Sequence, residues 1–108
     1  MAVRGRKPAL RDEWADEFAL FECFLFRQGK KPETVRAYLS RVKQFLEWRE
    51  QQGKDVWAPV SMQEVDEYSA LCFARYARAG AYHRLSAVHA YRAFLKARRH
   101  LARAAGFC

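Results

Sequence analysis

The chain has 108 residues, the length of one domain by the usual figure of roughly 100–200 residues each. Fifty-one percent of them are hydrophobic, with eight Phe, five Tyr and three Trp, so the material for a packed core is present. The net charge is +8, which points to nucleic acid or an acidic surface as partner; a soluble helical protein with solvated lysines and arginines explains the charge equally well. No apolar run approaches the ~20 residues that cross a bilayer, and no apolar stretch follows the charged first residues, so no membrane and a cytoplasmic location are expected.

Residues 1–11 read as a flexible basic arm, with Arg4, Arg6, Lys7 and Arg11 able to touch phosphate or simply be solvated. A first helix is predicted from about Asp12, where Asp12 and Glu13 suit its positive end. Trp14, Phe18, Phe21 and Leu25 recur at helical spacing and form its buried stripe. Gly29 is placed to stop it. Phe26 lies off the stripe, facing either a wide core or a second partner.

Lys30 and Lys31 precede Pro32, a residue suited to the first helical position because its missing N–H had no partner there. Val35, Tyr38, Leu39, Val42, Phe45 and Leu46 predict a broad apolar face on the second helix, and Arg36, Ser40, Lys43 and Glu47 share its other flank. The helix should end by Gly53. Lys54 to Pro59 reads as a loop with Trp57 on the core. Ser61 and Glu64 have capping-box spacing, with Val60 and Val65 placed as a hydrophobic staple, so a third helix starts at Ser61. Val65, Tyr68, Cys72 and Tyr76 are expected inside, with Gly80 closing that helix.

A fourth helix is expected from near Ala81 toward Arg103, with residues 105–108 as a tail. Leu85, Val88, Tyr91 and Leu95 mark its apolar side. Ser86, Ala87 and Ala90 are read as a small-residue side, and His89, Arg92, Lys96, Arg99 and Arg103 as a basic one. From Tyr68 to Cys108 there are eight Lys or Arg and no Asp or Glu, a distribution that suits docking on a polyanion.

Catalytic and metal chemistry find little support. The three cysteines form no Cys-x-x-Cys, and His83, His89 and His100 lack metal-ligand spacing with them, so no metal, no cofactor and reduced thiols are expected. Tyr38, Tyr68, Tyr76 and Tyr91 fall on or near apolar stripes and read as core residues. No Gly-rich phosphate loop and no Ser/His/Asp arrangement is present.

Two segments carry a family resemblance. Arg84-Leu-Ser-Ala-Val-His-Ala-Tyr-Arg-Ala-Phe-Leu95 resembles the last long helix of the core-binding domain of tyrosine recombinases, the phage integrases. Lys31-Pro-Glu-Thr-Val-Arg-Ala-Tyr-Leu-Ser-Arg-Val-Lys-Gln-Phe-Leu46, with a Tyr four residues after Thr34 and a closing Phe-Leu, resembles the second helix of that domain. The resemblance covers roughly residues 12 to 100. It implies an all-α fold, a four-to-five-helix orthogonal bundle of the integrase N-terminal SAM-like core-binding type, over residues 12–104. It also implies a DNA-binding domain that forms half of a clamp around duplex DNA for integration and recombination.

By matched position, the resemblance places Thr34, Arg36, Ser40 and Lys43 of the second helix on DNA. From the fourth it places His83, Arg84, Ser86, Ala87 and His89 there. Lys30, Lys31 and Lys43 would meet phosphates, Arg36 a guanine edge or a phosphate, and small Ser86, Ala87 and Ala90 would permit close approach. Phe26 and the first helix are candidates for touching neighbouring recombinase protomers. The catalytic residues of the family stand in a separate C-terminal domain, so this chain is expected to be non-catalytic. His89-Ala-Tyr-Arg92 and His100-Leu-Ala-Arg103 match the His-x-x-Arg spacing of that site only by chance, because they lie in the binding-domain helix. The alternative is a stand-alone helical interaction or regulatory protein of the same fold without DNA function.

Overall fold

The computed structural model describes residues 12–56 and 58–104. These form four helices, α1 (Asp12–Arg27), α2 (Pro32–Gln51), α3 (Met62–Arg75) and α4 (Arg78–Ala104), with no strand among the described residues. The expected all-α fold is therefore the observed one. The expected basic arm, the tail and Trp57 lie outside the described residues.

The helix ends follow local chemistry. Gly29 takes φ +85° after α1, and Lys30 N–H reaches back to Leu25 C=O at 3.3 Å while Gly29 N–H bonds Phe26 C=O at 2.9 Å. α2 ends in the same motif, with Gly53 at φ +76° and Lys54 N–H on Arg49 C=O at 3.0 Å. Both are helix stops that need a left-handed residue, which glycine adopts without a steric penalty. Pro32 stands at the start of α2 as expected. Ser61 caps α3, its hydroxyl accepting from Glu64 N–H at 3.1 Å.

The third boundary differs from expectation. α3 stops at Arg75, where Tyr76 turns to extended backbone (φ −120°, ψ 158°), and Gly80 is already inside α4. Gly80 does not close α3: it is a helical residue on the first turn of the next element. Tyr76 is correspondingly 39% exposed rather than inward.

α4 packs against each of the other three helices, and α1 also packs on α2. Trp14, Phe18, Phe21 and Leu25 of α1 meet Val35, Val42, Phe45 and Leu46 of α2 in one core with Val60, Val65, Tyr68 and Cys72. Leu85, Val88 and Tyr91 of α4 join it together with Ala81, Ala87 and Phe94; Leu95 is only half-buried. Phe21 stands edge-on to Tyr91 at 5.4 Å and tilted to Phe94 at 5.3 Å, while Phe45 stands edge-on to Tyr68 at 5.0 Å. Such aromatic pairs add specificity of geometry to the burial of area.

Two charged clusters are built into this core. Arg49, 1% exposed, donates from Nε to Glu64 Oε2 at 2.5 Å and from its two other nitrogens to Val56 C=O and Ala58 C=O at 3.1 Å each. One side chain thus fastens the α2–α3 connection to both helices. Glu64 serves twice, its N–H donating to the Ser61 cap and its carboxylate accepting from Arg49. Glu17, also buried, accepts from Tyr91 Oη at 3.4 Å and from Arg98, tying α1 to the far half of α4. Cys72 is a buried free thiol, whereas Cys23, expected as a thiol, is disulfide-bonded.

Candidate nucleic-acid interface

The α2 contribution starts at its N-terminal turn. Lys31 occupies the N-cap position without a side-chain cap, and Lys31 and Thr34 are exposed. Lys30 is half-buried, its ammonium 5.2 Å from the centre of the Tyr38 ring. Arg36 and Ser40 are exposed one turn apart, and Lys43 follows three residues later, half-buried. Their spacing of four and three residues puts them on one flank, because burial of Val35, Val42, Phe45 and Leu46 turns the opposite side inward.

Two neighbours condition that flank. Lys43 Nζ lies 3.4 Å from Glu47 Oε2, an exposed-side pair between successive turns. Ser40 and Lys43 also border an open groove of about 500 Å³ between α1 and α2, floored by Phe18 and Leu39 and left wide by Ala15 and Ala19. The flank is therefore an edge carrying Arg36 and the Lys43–Glu47 pair, beside a mainly apolar recess that Glu22 also lines.

The α4 contribution is more divided than the expected set. His83, Ser86 and His89 are exposed. Arg84 is half-buried, its guanidinium 3.9 Å from the centre of the Tyr76 ring, and its Nε is buried without a hydrogen-bond partner. Ala87 is fully buried and belongs to the core, so its side chain is withdrawn from any surface that Ser86 offers. Adjacent helical residues point about 100° apart. Ser86 and Ala87 thus never shared one small-residue side; Ala90, half-buried, lies nearer Ser86. The basic stripe is also thinner than its sequence spacing implies, because Arg92 Nε donates to Val60 C=O at 2.9 Å, while Lys96 is exposed. Arg99 and Arg103 carry no described side chain.

Burial settles the tyrosines differently. Burial pushes the Tyr91 phenol well above its ordinary range, with the Glu17 carboxylate adding to the rise. Burial does the same to Tyr68, and it raises the Cys72 thiol beside it. Protonated, enclosed phenols suit packing. Among the described residues no group of three or more His, Cys, Asp or Glu is arranged to hold a metal ion, and no helix is long and apolar enough to cross a membrane.

Sequence reasoning missed the burial of Glu17, Arg49 and Glu64, reading Glu64 only as half of a capping box. Each stands in phase with an apolar stripe: Glu17 three residues after Trp14 and four before Phe21, Arg49 four after Phe45, Glu64 four before Tyr68. A charge in phase with buried positions is the signal that was available.

The family of the phage integrase N-terminal SAM-like domain matches residues 18–99, a span that includes α2, α3 and all but the ends of α1 and α4. No catalytic domain is found alongside it. No curated protein and no solved structure matches the chain.

Proposed function

Because this chain belongs to the phage integrase N-terminal SAM-like family, we propose that it is the DNA-binding, core-binding part of a site-specific tyrosine recombinase. It grips duplex DNA and leaves strand cleavage to a separate catalytic domain. The observation that carries this reading is the accessible cationic flank of α2 within a family-matched bundle. Arg36, Ser40 and Lys43 lie there at helical spacing, and α4 adds exposed His83, Ser86 and His89.

Phosphates contribute affinity without sequence information, and base edges contribute specificity. Lys30, Lys31 and Lys43 have the reach and charge for phosphates. Thr34 and Ser40 supply hydroxyls for the same backbone. Arg36 carries the planar donor fork that a guanine edge or a phosphate accepts. Arg84 acts differently: half-buried with its guanidinium 3.9 Å from the Tyr76 ring centre, it is the more restrained cation. Ala87 is dropped from the contact set because it is buried.

The test is chemical-shift mapping of the labelled protein with an unlabelled duplex. Shifts are expected along Arg36 to Lys43 and His83 to His89. If those stretches stay unmoved, the duplex reading fails and a regulatory protein of this fold, without DNA function, takes its place. A companion assay incubates the chain with supercoiled plasmid; no covalent protein–DNA adduct is expected, and one that depends on a tyrosine would overturn the non-catalytic assignment.

A further inference from the structure

Three large aromatic side chains remain uncovered where α3 passes into α4: Phe73 is 42% exposed, Tyr76 39% and Tyr82 54%. Phe73 and Tyr82 come from different helices, and their rings meet edge to face at 5.2 Å and 83°. Tyr76 carries the Arg84 guanidinium 3.9 Å from its ring centre. Exposed Arg75, Arg78 and His83 lie on the same stretch of chain, and no acidic residue follows Glu67. A folded domain ordinarily covers rings of this size or uses them.

We propose that this corner is a stacking platform for unpaired bases of single-stranded DNA, with Tyr82 and Phe73 as the stacking rings and Arg75, Arg78 and Arg84 holding the strand's phosphates. The charge argues for an anionic occupant. A second copy of the same corner would set cation against cation. The rings then choose among anions. Duplex DNA keeps its base faces stacked inside the helix and offers exposed rings nothing flat to cover. An unpaired strand offers a π-face at every base, and aromatic rings beside cations are the usual means of holding it. Arg84 already shows the cation-over-ring arrangement that such sites use. The platform goes beyond the duplex reading, rests on different side chains apart from Arg84, and can stand or fall separately from it.

The experiment measures fluorescence anisotropy of three labelled probes at one salt concentration: a 12-nucleotide oligothymidine, the same strand with abasic sites, and a duplex of equal length. Wild type should prefer the oligothymidine to the abasic strand, because both carry the phosphates and only one carries bases. Tyr82→Leu and Phe73→Leu should each weaken oligothymidine binding by about 5- to 150-fold, the range for loss of one stacked base. Tyr82→Phe should stay within about twofold, because it keeps the ring. Binding of the abasic strand and of the duplex should not change in any of the three variants. Circular dichroism confirms that these surface variants keep their helix content. Loss of under about twofold on oligothymidine in both leucine variants would overturn the platform, as would equal losses on the duplex or no wild-type preference over the abasic strand. If oligothymidine binds as described and the duplex does not, the platform stands and the duplex reading alone fails.

Discussion

At the scale of single residues, the charges that matter most for stability are the ones inside. Removing one partner of a buried ion pair leaves the other without compensation, a loss of about 3–5 kcal/mol, whereas replacing both by apolar residues often costs little. Arg49→Met should therefore destabilise the fold by about 3–5 kcal/mol in urea denaturation, with Glu64 left alone in the core. Adding Glu64→Leu should recover part of that loss. The recovery should be incomplete, because Val56 and Ala58 carbonyls lose their donor as well.

Tyr91 gives a second residue-level prediction. Its phenol titrates above the ordinary 10.0 in the folded chain, so the folded state holds this proton more tightly than the unfolded state does. The stability it contributes is present below about pH 10 and is lost as pH rises from there toward the folded-state value. Unfolding free energy measured at pH 8 and pH 10.5 should fall between the two, and Tyr91→Phe should flatten the decline. Tyr68, raised by the same burial, should account for part of what remains. An alkaline decline that is identical in Tyr91→Phe and wild type would contradict this account.

At the scale of elements, each helix is defined by its ends and by its buried side. The Gly29 and Gly53 stops and the Ser61 cap were legible because each signal acts within one turn of the chain. The α3–α4 boundary was not, since it has no glycine stop: the chain turns at Tyr76, whose ring is held under Arg84 eight residues later. Helical periodicity carried the buried sides. Leu85→Ala and Phe45→Ala should each cost about 2–5 kcal/mol, the range for buried large-to-small changes. Losses below about 0.5 kcal/mol in denaturant titrations would mean that these side chains do not close the contacts among α2, α3 and α4.

At the scale of the whole molecule, binding should report the net charge and its local pairing. If about four phosphates are neutralised, log affinity for duplex DNA should fall against log salt with a slope near −3.6, from roughly −0.9 per phosphate. If the chain acts as half of a clamp, as proposed, it should bind weakly, in the ~10⁻⁴–10⁻⁶ M range of non-specific contacts. The Lys43–Glu47 pair refines this. Glu47→Gln removes a negative charge from the flank and releases Lys43, so affinity should rise by about two- to fivefold, while Lys43→Ala should lower it and flatten the slope by about one unit. Unchanged affinity in both variants, read by anisotropy, would remove this flank from the interface.

The amino-acid sequence by itself determined the helices, most of their ends, the apolar side of each and the excess of positive charge, because periodicity, caps and composition act within a few residues. It also carried the family, through the Lys31–Leu46 and Arg84–Leu95 segments. Only the tertiary structure decided which polar groups are withdrawn from solvent. Glu64 read as half of a capping box, and Arg49 from another helix came to hold its carboxylate inside the core. Arg92 looked like part of a basic stripe until the Val60 carbonyl came within reach. Ala87 had no polarity to mark its side, and packing of α4 against its neighbours buried it. In each case the deciding partner lies 15 or more residues away in sequence or on another helix, and local pattern contains no information about that distance in space.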